Sequence, residues 1–271
     1  MKIFWRRAEF LDWRGKAIRC ERCAHAQLRI RDHCAPASAC MHSPRPSRVE
    51  QFFVTNPEIA EGYLDSERAV VRAAAVRVVD PLHLPALLDD TDGEVRWHTA
   101  LRLPPRFLLR LRSDPDREVR IRVAGYVDAD QLDAMISDPD YYVRQMVARR
   151  IGIVRLCLMM DDPDPQVRCV VAGRIAPEWL QRMARDTDGC VRLAVAKRLP
   201  PHQLHLLAED IDCRVRHEVA LRAPHSVLRR MLKDDDSLIR TLAEGRIEDE
   251  RKITATGHVL IRMPGAERDE E

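Results

Sequence analysis

Four cysteines near the N-terminus have the spacing of a metal-binding set. Cys20, Cys23, Cys34 and Cys40 form a C-x2-C-x10-C-x5-C pattern within the stretch CERCAHAQLRIRDHCAPASAC. Two thiolates separated by two residues can hold one metal centre, and a second pair that returns from a loop completes a set of four. The surrounding segment is too small and polar to bury four free thiols, so we interpret these residues as ligands.

The spacing alone leaves the identity of the metal open. Tetrahedral sulfur ligation suits both zinc and an iron–sulfur centre. Zinc ribbons usually close with a second tight pair, and the pattern matches neither of the common ferredoxin spacings. His25, His33 and His42 lie nearby and could replace a cysteine, although surface or supporting histidines are commoner. Zinc and iron–sulfur therefore stand as equal alternatives on this evidence.

The elements that follow the cysteines repeat every 24 residues. A Val-Arg or Ile-Arg pair recurs without insertion, with its arginine at Arg72, Arg96, Arg120, Arg144, Arg168, Arg192, Arg216 and Arg240. A leucine ladder keeps the same step at Leu84, Leu108, Leu132, Leu156, Leu180, Leu204 and Leu228. Three residues after each leucine comes a second Leu or Met, at Leu87, Leu111, Met135, Met159, Met183, Leu207 and Met231. A period sustained this long indicates a repeat protein.

Each copy is predicted to contain two short helices. In one copy Asp140 lies where an N-cap belongs, and Val143, Val147 and Ile151 follow at the spacing of one helix face. The second, shorter element carries the Leu/Met pair, whose spacing suits either a 3₁₀ turn or one turn of α-helix. No alternating apolar and polar run predicts a strand. Because one copy buries too little apolar surface to fold alone, neighbouring copies must stack.

Two ladders of charge accompany the repeat. Aspartates recur in pairs two residues apart, at Asp138/Asp140, Asp162/Asp164, Asp186/Asp188, Asp210/Asp212 and Asp234/Asp236. A second arginine row stands at Arg102, Arg150, Arg174, Arg198, Arg222 and Arg246. We expect the aspartates to cap helices and the arginines to bind neighbouring carboxylates or carbonyls. The alternative is a row of arginines that binds phosphate or an acidic protein. It is weakened because equal numbers of carboxylates accompany the arginines and no stacking aromatics interleave with them.

Composition narrows the class of protein. The chain has 271 residues and a formal net charge of +2, so bulk charge does not demand a nucleic-acid or membrane partner. No segment approaches the roughly 18 apolar residues of a membrane span, and we expect a soluble cytoplasmic protein. In that compartment cysteines are more often ligands or buried thiols than disulfides. The cysteines outside the N-terminal set form no ladder and are interpreted as small core or surface residues: Cys157, Cys169, Cys190 and Cys213.

The repeat pattern together with the preceding cysteine cluster resembles the leucine-rich repeat variant family over nearly the whole chain. The resemblance implies an all-α, right-handed superhelical solenoid in which α and 3₁₀ helices alternate. It also implies a small N-terminal domain in which Cys20, Cys23, Cys34 and Cys40 hold a [4Fe-4S] cluster, which favours iron–sulfur over zinc. The predicted domains are a Cys-rich iron–sulfur domain (1–50), an eight-copy helical solenoid (57–247), and a C-terminal cap with an acidic tail (248–271).

These features predict an iron–sulfur-containing scaffold that binds a protein partner on the concave face of the solenoid. The cluster could hold the small N-terminal domain together or sense oxygen or redox state. Alternative functions are a nucleic-acid-binding repeat protein and an electron-transfer protein. We predict no enzymatic activity, since the sequence contains no nucleophile elbow, P-loop, dinucleotide fingerprint or helical zinc-protease motif.

Overall fold

The computed structural model describes residues 10–260, and its elements are helical. The α-helices are α1 (Ala26–Ile30), α2 (Pro46–Thr55), α3 (Ala69–Val76), α4 (Gly93–Arg102), α5 (Pro105–Arg110), α6 (Arg117–Tyr126), α7 (Tyr141–Arg150), α8 (Pro165–Arg174), α9 (Pro177–Met183), α10 (Gly189–Ala196), α11 (Cys213–Arg222), α12 (His225–Met231) and α13 (Ser237–Leu260). The 3₁₀ helices are Cys20–Arg22, Pro57–Tyr63, Pro81–His83, Pro85–Asp89, Leu111–Ser113, Ala129–Met135, Ile153–Met159 and Pro201–Leu207. The chain divides into two compact units between Ala134 and Met135.

The described part of the chain contains no β-strand, which confirms the predicted all-α repeat fold. Its only extended pairings are two isolated bridges, Leu11 with Ala17 and Ala35 with Ala39, and both lie in the cysteine-rich segment. No helix within residues 10–260 is both long and apolar enough to cross a bilayer.

The valine of each Val-Arg pair anchors its copy in the core. These residues are at most 1% exposed: Val71, Val95, Val119, Val143, Val167, Val191, Val215 and Ile239. The leucine ladder is buried as well, with Leu108 the most exposed member at 9%. In the first unit α3 packs between α2 and α4, and in the second α8 packs between α7 and α10. The core is therefore shared between neighbouring copies, as expected of a repeat whose single copy cannot fold.

The second aspartate of each pair caps a helix, as predicted. The carboxylates of Asp92, Asp116, Asp140, Asp164, Asp188, Asp212 and Asp236 each accept a backbone N–H from the first turn that follows, at 2.8–2.9 Å. Helix α3 differs, because Arg68 stands at its N-cap and makes no side-chain cap. The sequence shows this exception, since Arg68 lies 24 residues before Asp92.

One predicted core residue is displaced in the first copy. Leu87 is only half-buried, and Leu88 takes the core position at 2% exposure. The cause is Pro85, which has no N–H to donate and cannot continue the preceding turn. The element therefore divides into two 3₁₀ helices, Pro81–His83 and Pro85–Asp89, and the spacing of its buried side chains changes.

The second element takes both of the conformations that its i, i+3 spacing allows. It is a 3₁₀ helix in most copies, including Ile153–Met159 and Pro201–Leu207, as the resemblance implied. In three copies it is instead an α-helix, namely α5, α9 and α12. The alternation of α and 3₁₀ helices is therefore present without being uniform.

The last copy ends differently from the others. Helix α13 runs from Ser237 to Leu260 without turning into a second element. Ala243 and Ile247 remain buried, while Glu244 is exposed at a position that is alanine in preceding copies. The predicted acidic tail falls largely on residues 261–271, which lie outside the described residues, and the predicted domain boundaries stay predictions.

Candidate metal centre

The four N-terminal cysteines lie on a turn and a loop that frame α1. Cys20 opens the first 3₁₀ turn, and the N–H of Cys23 donates to the Cys20 carbonyl at 3.3 Å. Cys34 follows α1, and Cys40 precedes α2. Two backbone hydrogen bonds between Ala35 and Ala39, of 2.8 and 2.9 Å, close the loop between the second pair.

The two pairs differ in their exposure to solvent. Cys34 and Cys40 are buried, at 8% and 3% exposed, whereas Cys20 and Cys23 are half-buried. An open cavity of about 620 Å³ borders Cys23 and is also lined by Arg19 and Arg22. One side of the site is therefore fixed in the protein interior, and the other can be reached by small molecules.

The cysteines of the predicted set lie close enough for the charge of one thiol to shift the pKa of another. Cys34 and Cys40 hydrogen-bond through their side chains, which raises the pKa of Cys34 and lowers the pKa of Cys40. Negative charge on Cys40, Cys23 or Cys20 raises the pKa of Cys34 further. Burial raises the pKa of Cys23, and the charges of Cys40 and Cys20 add to that shift. The pKa values of Cys23 and Cys34 thus respond to the charges of other members of the predicted set.

Backbone donors are directed at two of these sulfurs. The N–H of His25 donates to Cys23 Sγ at 3.4 Å, and the backbone amides of His42 and Ser43 help to lower the pKa of Cys40. Such N–H···S hydrogen bonds are one of the means by which proteins set the properties of iron–sulfur clusters. The donor set of four thiols with amide support fits a sulfur-ligated centre.

The four cysteines of the predicted set do not form a complete ligand arrangement in this structure. Among residues 10–260, no three His, Cys, Asp or Glu side chains already form a metal-binding set. The assignment of Cys20, Cys23, Cys34 and Cys40 as ligands stays a prediction.

His25 has a partner other than a metal in this structure. Its Nε2 lies 2.5 Å from the Tyr63 hydroxyl, and its ring packs edge-on against Phe52 with centroids 5.1 Å apart. His33 is exposed. His42 is half-buried, and burial lowers its pKa. Of the three histidines, His25 thus contributes ring packing and a side-chain hydrogen bond to the site.

Two side chains beyond the cysteines attach their loops to the helices. Arg68 donates to the carbonyls of Met41 and Ser43, at 2.5 and 2.9 Å, directly after Cys40. Asn56 donates to the carbonyl of His33, directly before Cys34, at 3.0 Å. Neither Asn56 nor Arg68 belongs to a motif that predicts a role at this site. The one indication in the sequence is that Arg68 occupies the position at which later copies have a capping aspartate.

The cysteine site and the first copies share one hydrophobic core. Cys34 belongs to the same buried cluster as Phe52 of α2, Val71 of α3 and Val95 of α4. Because protein cores are close-packed, movement of the loop that carries Cys34 would disturb the packing of these helices.

The first arginine row binds carboxylates, as the structural interpretation of the sequence predicted. Arg72, Arg96, Arg144, Arg168, Arg192 and Arg216 each donate through Nε to an aspartate 18 residues later, at 2.7–2.8 Å. The same arginines donate through Nη1 to a carbonyl of their own copy, at 2.7–2.9 Å. Each arginine therefore joins its own copy to the next.

The second arginine row binds helix C-termini. Arg174 donates to the carbonyls of Ala148 and Ile151, at 2.5 and 3.0 Å, and Arg222 makes the equivalent bonds to Ala196 and Leu199. These carbonyls lack partners within their own helix, and positive charge is favourable at a helix C-terminus.

Comparison with known proteins agrees with both halves of this description. A family profile described as "LRV protein FeS4 cluster" matches residues 10–62, which contain all four cysteines of the predicted set. The solved structure of a leucine-rich repeat variant with a novel repetitive protein structural motif is 37% identical, with a TM-score of 0.79. That match covers 84% of this chain and 98% of the other.

A curated relative matches over a shorter region. It is an uncharacterised 27.7 kDa protein in the nifB 3′ region of Rhodobacter capsulatus, and it is 39% identical over 96 residues. The match spans 35% of this chain and 39% of the relative's length.

Proposed function

Because this chain belongs to the leucine-rich repeat variant family, we propose that it is a protein-interaction scaffold whose iron–sulfur domain controls the surface at its N-terminal end. The match to residues 10–62 supports an iron–sulfur cluster domain. To this domain we assign a [4Fe-4S] cluster ligated by Cys20, Cys23, Cys34 and Cys40, with zinc as the alternative. A bound cluster supplies one-electron redox chemistry and a crosslink between the two cysteine pairs.

The observation that carries this proposal is the core that Cys34 shares with α2, α3 and α4. Loss of the cluster would release the loop on which Cys34 lies. The loop after Cys40 would then be held only by the Arg68 hydrogen bonds to Met41 and Ser43 and no longer by a metal–sulfur bond. The consequence would reach the first copies of the repeat and alter the surface that they offer.

The uneven burial of the cysteines favours a sensing role over a purely structural one. A cluster that only holds the domain together needs no access to solvent, but Cys20 and Cys23 are half-buried, and Cys23 lines an open cavity. Oxygen or a small oxidant can therefore approach one side of the site. The same exposure keeps electron transfer to a docked partner as the second candidate function.

The partner that we propose is a protein bound on the concave face of the repeat stack. Nucleic acid is a weaker candidate because the arginines that would contact phosphate already bind carboxylates and carbonyls, in pairs such as Arg168 with Asp186. Nucleic-acid binding would show affinity that falls steeply with salt concentration. We expect no retention on DNA or RNA even at low salt, and retention would revive that alternative.

The test compares partner capture by the full chain before and after oxidative loss of the cluster. Anaerobically purified protein and its air-oxidised, iron-free form are immobilised and exposed to the same extract, and the captured proteins are quantified. We expect a defined subset to be lost from the iron-free form and restored on reconstitution. Equal capture by both forms would contradict the switch. Electron exchange between reduced protein and a captured partner would instead favour electron transfer.

A further inference from the structure

Two cysteines outside the N-terminal set meet on neighbouring helices of the second unit. Cys169 lies on α8 and Cys190 in the first turn of α10, and these helices pack against each other. The sulfur of Cys169 donates to the carbonyl oxygen of Cys190 across 3.7 Å. Twenty-one residues separate the two in sequence, a step different from the 24-residue repeat, so no ladder in the sequence reveals the contact.

The two thiols have different surroundings. Cys190 is exposed, whereas Cys169 is half-buried. Burial raises the pKa of Cys169, and the charge of Cys190 raises it further. One thiol of the pair is thus exposed to solvent, and burial disfavours the thiolate form of the other.

A positive charge lies beside the exposed thiol. Arg214 lies near enough to Cys190 for negative charge on that sulfur to raise the pKa of the guanidinium, although the carboxylate of Asp212 is the larger cause. Arg214 is oriented by Asp212, whose carboxylate accepts its Nη2 at 2.7 Å and its Nε at 3.1 and 3.2 Å. A cation next to a cysteine sulfur is a feature of reactive rather than structural cysteines.

We propose that Cys169 and Cys190 form a thiol–disulfide exchange site for low-molecular-weight disulfides, with Cys190 as the attacking thiol and Cys169 as the resolving thiol. The Cys190 thiolate attacks one sulfur of the small disulfide, and the other sulfur leaves as a thiolate. Cys169 then loses its proton and attacks the Cys190 sulfur, and the second small thiol leaves. The protein is oxidised by two electrons to a Cys169–Cys190 disulfide, and one small disulfide is reduced to two thiols.

The contact between the two residues suits this product. A disulfide needs Cα atoms within about 7 Å, and the Cys169 sulfur lies 3.7 Å from the backbone oxygen of Cys190. The product would tie α8 to α10. The site uses none of the four N-terminal cysteines, so it goes beyond the function proposed for the cluster.

The test treats the anaerobically purified full chain with oxidised glutathione and maps the tryptic peptides by mass spectrometry without reduction. The wild-type chain should yield CVVAGR (169–174) linked to DTDGCVR (186–192). Without the resolving thiol, Cys169→Ser should stop at the mixed disulfide and carry about tenfold more glutathione on Cys190. Cys190→Ser should leave Cys169 unmodified.

Cys213→Ser is the matched control, because Cys213 is also exposed in the first turn of a repeat helix. This variant should form the linked peptide as the wild type does. The proposal is overturned if the wild-type chain retains glutathione on Cys190, if Cys190 pairs with Cys213, or if Cys169→Ser and wild type carry equal glutathione. Iron content and circular dichroism, unchanged in each variant, would show that the fold is intact.

Discussion

Arg96 holds both carboxylate oxygens of Asp114, at 2.8 Å through Nε and 2.5 Å through Nη2, with the two side chains 9% and 2% exposed. Asp114 also accepts the N–H of Asp116, the residue that caps α6. One pair therefore joins a helix of one copy to the helix start of the next. An insertion of even one residue between them would break this connection, which gives a physical reason for the invariant 24-residue step.

Removing a carboxylate of this ladder should be costly. Asp162→Ala leaves Arg144 in a largely buried position without its partner, which typically costs about 3–5 kcal/mol. Asp161→Ala is the matched control, because its pair with Arg182 is 80% and 60% exposed and such pairs contribute about 0–1 kcal/mol. Urea unfolding followed by circular dichroism measures the difference. Equal midpoints for the two variants would show that the ladder does not stabilise the stack.

The same ladder should make stability depend on pH. Hydrogen bonding from Arg216 lowers the pKa of Asp234 below its ordinary 3.8, burial opposes the shift, and the charges of Arg216 and Arg240 support it. A lowered folded-state pKa means that this stabilisation is complete above the ordinary value and is lost as pH falls through the folded value.

The measurement compares the wild type with Asp234→Asn at each pH. The stability advantage of the wild type should be constant near neutrality and shrink as the pH is lowered below about 4. Acid loss of the cluster affects both proteins equally, so the difference between their free energies of unfolding reports the Arg216–Asp234 interaction. An advantage that persists or grows in acid would refute the assignment.

Arg68 should stabilise the loop that carries Cys40. Arg68→Gln removes the charged hydrogen bonds to Met41 and Ser43, which are worth about 1.5–3 kcal/mol each when buried and less at this half-exposed site. We expect faster bleaching of the visible cluster absorbance in air. Arg45→Gln, on an exposed side chain of the same loop, should bleach at the wild-type rate. Identical rates for both variants would mean that Arg68 does not support the site.

The displaced leucine of the first copy offers a test of the core. Leu88→Ala should cost about 2–5 kcal/mol because Leu88 is 2% exposed, and Leu87→Ala should cost clearly less because Leu87 is half-buried. Denaturant midpoints of the two variants check this order. A larger loss of stability for Leu87→Ala than for Leu88→Ala would indicate that Leu87 is the core residue, as the sequence repeat predicted.

Periodicity made much of the fold predictable. Val143 and its equivalents recur at one step, and each is buried, because every copy repeats the same environment. The roles of Asp140 as a cap and of the arginines as bridges also followed from residue type. The sequence could not show that Arg144 reaches Asp162 instead of a nearer carboxylate, since that choice depends on how the copies stack.

Exceptions to the repeat were harder to predict. Pro85 changes which leucine is buried, and the ladder alone does not show how a proline divides a turn. The roles of Asn56 and Arg68 and the contact between Cys169 and Cys190 are tertiary relationships between residues that share no period. The cysteine spacing gave a set of four but did not distinguish zinc from iron, because both accept thiolates.

The most direct test of the account is the metal and sulfide content of anaerobically purified protein, read with the electron paramagnetic resonance of its reduced form. We predict four iron and four sulfide per chain with a reduced-state signal, as expected of a [4Fe-4S] cluster on four thiolates. Both should be lost on Cys→Ser substitution at Cys20, Cys23, Cys34 or Cys40 and kept in Cys157→Ser. Stoichiometric zinc in place of iron, or a cluster that survives substitution of those four cysteines, would contradict the account.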